Sequence, residues 1–461
     1  MVAALLLAGC TSVGQDYQAP RMDLPQGWHT APAGIRAAAG AERLRWWAQL
    51  GDPLLSALIG QALVANLDIK TAQAVLREAR ARQRLAEADL APILGASAAV
   101  TRSLPAGGAS SSLYRADLDA SWEADIFGGI GRAIEAARAD AMSAEARLKD
   151  IQVSIAAEVA LNYVGLRTLQ RRLAIARANL ASQSETMQLA DWRVQAGLAS
   201  SVELEQARSN REQTAAQIPA LETARAQTAY ALAVLLGESP GALDARLATR
   251  TADLPEIPQE LVIGIPADTI RQRPDLRAAE AKLMAETART GVAIADLYPA
   301  LRLSGSLGVE ALSLGALGGP DTLVRSLAAG VTGTLFDGGR LRARVEVQEA
   351  VQEQALVAYR ASVLSALAEV ENALVELENS RLRQQSLVRA TAAASIAAQL
   401  AGERYRGGLI DFQTVLDTER TQRLLQDSLA NAEGDRVTAL VRLYKALGGG
   451  WPDVAQGGQE E

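Results

Sequence analysis

From Arg132 to Ala196, and again from Arg340 to Arg406, the chain runs without a proline and with one glycine each time. Proline interrupts a helix by removing a backbone donor, and glycine weakens it through chain entropy. Their scarcity predicts two unbroken helices, each reaching roughly 100 Å at 1.5 Å per residue. No ordinary globular core is that wide. In the first stretch, apolar or small residues at 166, 169, 173, 176, 180, 187, 190 and 194 alternate steps of three and four, passing over Gln183. Val363, Leu367, Val370, Leu374 and Leu377 do the same in the second, as a coiled-coil seam requires. The apolar material suits such packing. Hydrophobic residues make up 49% of the 461-residue chain but aromatic ones only 4%, so the seam is built from Ala, Leu and Val, which let helices approach closely.

Both stretches end alike. "WRVQAGLASSVELEQAR", from Trp192, and "ERYRGGLIDFQTVLDTER", from Glu403, carry Gly-Leu pairs 211 positions apart, each followed by a polar residue and an apolar helical pattern. Gly197 and Gly408 suit the left-handed position that ends a helix. Ser200 and Asp411, three residues on, are cap types that begin another, and Ser200 has Glu203 at the capping-box position. With Leu198 and Leu409, these residues make two hairpin tips. The return helices, about Ser200 to Gly237 and Asp411 to Leu447, reach only about half way back. A helix from about Gln61 to Leu90, and its copy before Pro299, has the size to cover the rest of the seam.

The duplication extends further. Asp68-Ile69-Lys70-Thr71-Ala72 recurs as Asp275-Leu276-Arg277-Ala278-Ala279, "ADLAP" ending at Pro92 as "ADLYP" ending at Pro299, and Phe127-Gly128-Gly129 as Phe336-Asp337-Gly338. Ala157-Glu158-Val159 recurs as Ala368-Glu369-Val370, and Gly237 as Gly448. A period this long is a doubled architectural half rather than a solenoid unit. It divides the chain into an N-terminal anchor and connector segment (10–60), a first repeat (61–237), a Pro-rich connector (238–267), a second repeat (268–448) and a tail (449–461).

Two strand candidates follow the first helix of each repeat. In "YRADLDASWEADI", Tyr114, Ala116, Leu118, Ala120, Trp122, Ala124 and Ile126 face one way; Arg115, Asp117, Asp119, Ser121, Glu123 and Asp125 face the other. The second repeat sets Leu301, Leu303, Leu307 and Val309 against Arg302, Ser304, Ser306 and Glu310, then continues with Leu327, Val331 and Leu335. Such a strand has about the length needed to cross a bilayer when tilted, although a soluble sheet would alternate in the same way. In a barrel, Asp117, Asp119, Glu123 and Asp125 would form an acidic lumen wall. Four strands cannot close a barrel in lipid, where an open edge leaves backbone groups unpaired. Three copies would supply twelve strands, with the doubled halves giving near-sixfold symmetry. The expected fold is therefore mainly α with a four-stranded membrane β part per chain, whose long hairpins form a trimeric α-barrel continuous with a shared 12-stranded β-barrel.

A net charge of -7 argues against nucleic acid as a partner. One His and one Cys leave no room for the common zinc sites, Ser-His-Asp triads or Cys-His pairs, and no phosphate loop or nucleophile motif stands out, so no catalytic or metal residues are assigned. No stretch of 18 apolar residues occurs, which leaves strands as the means of spanning a membrane. The single Cys closes "MVAALLLAGC", where residues 1–9 read as a signal peptide. Leu7-Ala8-Gly9-Cys10 resembles a bacterial lipoprotein signal, in which Cys10 would carry covalent lipid, the only attached group expected; no cofactor is.

Together with "VGQDYQAP", "WWAQLGDPLLSALI" from Trp46, "RQRPDLRAAEAKL" from Arg271, "LYPAL" and both tip motifs, the chain resembles the outer-membrane efflux proteins, in particular the lipoprotein branch serving resistance-nodulation-division pumps. The resemblance covers nearly the whole mature chain. It implies a homotrimer in the bacterial outer membrane with a tunnel reaching into the periplasm. It also implies docking of the tips to a periplasmic membrane-fusion adaptor, itself coupled to an inner-membrane resistance-nodulation-division transporter. The family places an acidic ring nine residues after the second tip Gly, here Asp417, at the periplasmic aperture. Gln413 stands where members often carry an apolar ring residue, Ile410 where some carry a basic one, and Tyr405 at a position some use for closing contacts. The function implied is passive export of drugs or other small molecules. Two alternatives stay open: an exit duct for ABC-type protein secretion, and a lipid-anchored coiled-coil scaffold with no pore.

Overall fold

The computed structural model describes residues 12–22, 24–30, 35–36, 45–108, 110–248, 253–258, 261–262 and 271–449. Cys10, the signal segment and most of the tail lie outside them. In chain order the elements are β1 (Ile35–Arg36), α1 (Pro53–Ala65), α2 (Leu67–Ala88), β2 (Ile93–Ser103), β3 (Ser111–Ala124), α3 (Gly129–Gln195), α4 (Ser201–Leu235), α5 (Asp244–Ala248), β4 (Leu261–Val262), α6 (Pro274–Ala295), β5 (Ala300–Ala311), β6 (Leu323–Thr332), α7 (Arg340–Arg406) and α8 (Phe412–Ala446). Chain contacts separate two compact units, one drawn from Met1–Met22, Gln73–Arg147 and Asp275–Ser362, the other from Asp23–Ala72, Leu148–Pro274 and Val363–Glu461.

The doubled long helices form as the proline count predicts: α3 and α7 are each 67 residues, and α4 and α8 are each 35. Pro219 nevertheless lies inside α4, on its exposed side. The helix expected over Gln61–Leu90 is two helices. Asn66 separates α1 from α2: its side-chain oxygen accepts from Asp68 N (2.9 Å) and Ile69 N (3.1 Å), and its amide donates to Leu235 O (2.9 Å). An Asn that offers the backbone both an acceptor and a donor competes with the helix around it, and here it wins. Leu67–Ala88 and Pro274–Ala295 then match as 22-residue copies.

The core of the second unit gathers Trp46, Trp47, Leu50, Leu55, Ile59, Tyr163, Leu232 and Tyr444 among others. Trp46 stacks on Tyr444 with ring centroids 5.3 Å apart, and the Tyr444 hydroxyl donates to Gln49 Oε1 at 3.0 Å. Asp52 begins α1 by accepting from Leu54 N and Leu55 N, and its other oxygen takes the Tyr163 hydroxyl at 2.6 Å. Two tryptophans in a chain so poor in aromatics thus serve as core.

In the first unit the four-stranded sheet has the order β2-β3-β5-β6, all antiparallel. Its register places Leu118 beside Ala96 and Leu307, and Trp122 beside Leu303. Leu301, Leu303, Leu307 and Val309 in turn meet Val331, Ala329, Arg325 and Leu323. One face is therefore mostly apolar, interrupted by Arg102 and Arg325, and, in the chain by itself, open: Leu94, Val100, Leu118, Leu323, Leu327 and Val331 are all exposed. Every residue of β2 and of β6 is exposed, and neither has a second neighbour among the described residues. No described helix is long and apolar enough to cross a membrane. Leu335, expected to continue the last strand, lies beyond the end of β6 and is fully exposed.

Candidate gate, hairpin tips and channel wall

Each tip is built by the same backbone device. Gly197 has φ 71° and Gly408 φ 69°. Gly197 N donates to Val194 O (3.0 Å) and Leu198 N to Arg193 O (2.8 Å); Gly408 N donates to Tyr405 O and Leu409 N to Arg404 O, both at 2.9 Å. These paired bonds are the Schellman closure, which satisfies carbonyls at a helix end and needs a residue free to enter the left-handed region. Leu198 and Leu409 are left exposed at the two tips.

The caps that begin the return helices differ. Asp411 accepts from Thr414 N at 2.8 Å and from the Thr414 hydroxyl at 2.6 Å, bonds that hold its carboxyl below the usual range. Ser200 occupies the cap position without a side-chain hydrogen bond, so the capping box expected with Glu203 is not made. Glu203 is used elsewhere: its Oε2 accepts the Tyr405 hydroxyl at 3.0 Å. Tyr405 is buried against Phe412, ring centroids 5.1 Å apart, in a small core with Ala190, Ala207, Ala401, Val415 and Leu416. Arg193 lies over the Tyr405 ring, 4.5 Å from its centroid, and donates to the Tyr405 carbonyl at 3.1 Å. Burial, with the Glu203 carboxylate beside it, pushes the Tyr405 phenol up to about 12, so it stays a proton donor at neutral pH. The two hairpins of one chain are thereby joined at their tips.

Asp417 and Gln413 are exposed one helical turn apart, and Gln413 Nε2 donates to Asp417 Oδ1 at 3.1 Å. Arg420 lies 3.9 Å from that same oxygen, a solvent-screened contact of little strength. Gln183, the seam position that breaks the apolar pattern, is buried. With its nitrogen turned toward Thr214 Oγ1 (2.7 Å), its oxygen accepts from Arg423 Nη1 (3.1 Å), which also donates to Thr214 at 2.8 Å. One turn before Arg423, Glu419 accepts the Thr186 hydroxyl at 2.8 Å, and burial raises its carboxyl above the usual range. Glu419 also faces a cavity of about 670 Å³ lined by Glu185, Trp192, Glu403 and Tyr405. Sequence reasoning singled out Tyr405 but missed Glu203 and Arg193 as its tip contacts. Gln183 inside an apolar seam was the available signal for the polar layer.

On the sheet, Asp117, Asp119 and Glu123 share one face as the alternation predicts. That face is mixed rather than acidic, because β5 brings Arg302 opposite Glu123 (3.0 Å), and Arg115 pairs with Glu310 (3.1 Å) and lies 3.6 Å from Asp117. Asp125 does not belong to it. β3 ends at Ala124, and Asp125 turns back to accept from Ile130 N (3.0 Å) and Gly131 N (2.8 Å) at the start of α3. A carboxylate at a helix N-terminus satisfies donors that strand alternation ignores. Among the described residues no group of His, Cys, Asp or Glu is arranged to hold a metal.

A sheet with one lipid-type face and one charged face, joined to doubled helical hairpins with capped tips, defines a membrane-channel subunit. The family model for "Outer membrane efflux protein" matches residues 58–238 and 265–449. The pyoverdine export outer membrane protein OpmQ of Pseudomonas putida is 34% identical over 440 residues, 93% of this chain and 92% of that one. The cation efflux system protein CusC of Escherichia coli O6:H1 is 29% identical over 451 residues, 97% of each chain. The solved structure of the outer-membrane channel OprN superposes with TM-score 0.87 at 36% identity, covering 95% of this chain and 99% of that one. The chain belongs to the outer membrane efflux protein family, and it is an outer-membrane efflux channel.

Proposed function

We propose that the chain is the exit duct of a tripartite pump. Three copies close one 12-stranded barrel and one helical tunnel, and Cys10 carries the lipid that anchors each copy to the outer membrane. The observation that carries this reading is the sheet itself: two wholly exposed edge strands flank an exposed apolar face. In lipid, unpaired edges leave backbone groups without partners, a cost that only neighbouring copies remove. The duct is passive and needs no cofactor. Export is powered by an inner-membrane resistance-nodulation-division transporter acting through a periplasmic membrane-fusion adaptor, which packs against the Gly197-Leu198 and Gly408-Leu409 tips. Relatives of comparable identity are named for pyoverdine and for cations. That range supports a duct for small molecules whose substrate is selected upstream.

The gate in this reading has two parts. Asp417 from each copy gathers at the periplasmic aperture, where like charges repel and closure needs helix packing to hold them together. The Tyr405–Glu203 hydrogen bond supplies part of that packing. Asp417→Ala is expected to raise resting conductance in planar bilayers and drug sensitivity in cells. Unchanged conductance together with unchanged sensitivity would remove Asp417 from the gate. The native mass of the detergent-extracted protein checks the assembly independently: a value near three chains is expected, and a monomer that leaves the membrane without detergent would overturn the duct.

A further inference from the structure

We infer that Arg193 is the positioning residue of the tip latch, holding Tyr405 so that its hydroxyl meets Glu203; this rests on reading the Tyr405–Glu203 bond as a closing contact. Arg193 sits in the last turn of α3, where its own carbonyl is consumed by the Leu198 N–H of the tip closure. Its side chain reaches the other hairpin twice. Nη1 donates to the Tyr405 carbonyl at 3.1 Å, and that carbonyl also accepts the Gly408 N–H at 2.9 Å. The guanidinium lies over the Tyr405 ring at 4.5 Å. One residue is thus gripped at its main chain and at its ring, which fixes the direction of its hydroxyl, 3.0 Å from Glu203 Oε2.

Nε of Arg193 is buried and has no acceptor. A desolvated donor left unmade costs free energy, so the guanidinium is held by the ring and the carbonyl rather than by its full set of hydrogen bonds. A contact of a cation with a ring face is one that arginine makes more often than lysine.

The duplication separates this role from ordinary helix packing. At the 211-residue spacing, Arg404 corresponds to Arg193, Val194 to Tyr405 and Thr414 to Glu203. Arginine therefore recurs in both halves, whereas the ring and the acid occur once each, on opposite hairpins. Arg404 is exposed, whereas Arg193 is half-buried. The tip backbone alone does not require an arginine against a ring, since both tips close identically and only one has that contact.

The test uses the full-length channel in planar bilayers, reading the ratio of open to closed time in Arg193→Gln, Arg193→Lys, Tyr405→Phe and the double variant Arg193→Gln/Tyr405→Phe. Arg193→Gln is expected to raise the ratio about threefold to tenfold, the scale of a lost cation–π contact. It is expected to add nothing further once Tyr405 is Phe, and Arg193→Lys is expected to fall between Gln and the wild type. A purely packing role would give additive effects, so additivity in the double variant overturns the inference. So does an unchanged ratio in Arg193→Gln while Tyr405→Phe opens the channel, an outcome that leaves the latch standing. If Arg193→Gln does not assemble, a wild-type ratio in Arg193→Lys overturns the inference instead. A channel that stays shut in Tyr405→Phe overturns the latch itself, and this inference with it.

Discussion

Glu419 shows how one side chain records its surroundings. Burial raises its carboxyl above the ordinary value, and the Thr186 hydroxyl and the Arg423 charge offset this only in part. Between the unfolded and the raised folded value the native state binds more protons, so Glu419 lowers stability as pH rises through that window and carries its whole penalty above it. Glu419→Gln keeps an oxygen for Thr186 and removes the charge. The Gln variant is therefore expected to melt higher than the wild type at neutral pH, with the gap shrinking as pH falls toward the ordinary glutamate range; a gap constant with pH would refute this account. Gln183 was legible in the sequence as a gap in an apolar seam, but its partners Thr214 and Arg423 were not, because they come from other helices at spacings no periodicity encodes. Asp125 misled for a related reason: its carboxylate completes the alternation of β3, yet it faces the free N–H groups of a helix that begins a few residues later. Glu203 was assigned to a cap three residues away, and the phenol that claims it lies 202 residues on.

At the scale of elements, what could be read was what depends on local chemistry. The absence of proline predicted α3 and α7 nearly to their ends, and glycine at the turning points predicted both tips. The break between α1 and α2 was not read, because Asn66 earns its place through a bond to Leu235, an element far along the chain. Removing it tests that assignment. Asn66→Ala is expected to cost about 1–2 kcal/mol, as loss of a good cap does, seen as a lower midpoint in thermal unfolding. Asn66→Asp keeps the acceptor for Asp68 N and Ile69 N and is expected to recover most of the loss. If Asp behaves like Ala, the bond to Leu235 rather than the cap is what holds the junction.

At the scale of the whole molecule, the sheet faces carry the argument. Leu327, 87% exposed in the chain, belongs to the apolar face beside Gly305, while Ser306 on β5 belongs to the charged face beside Asp119. An arginine on the lipid side of a membrane barrel costs about 2–4 kcal/mol near mid-depth, and one on the water side much less. Leu327→Arg is thus expected to reduce the amount of protein recovered in the outer-membrane fraction, with Ser306→Arg near the wild type; equal recovery of the two would count against the assignment of faces. The alternation in β3 was visible from the start, and its arginine partners were not, since only the register brings Arg302 to Glu123. The two bare edges have a genetic consequence. A chain damaged along β2 alone still offers a sound β6, so it can join an intact copy on one side and offer nothing on the other. Expressed beside the wild type, such an allele would be dominant: it would spoil assemblies it enters, and the loss of export would exceed its share of the pool.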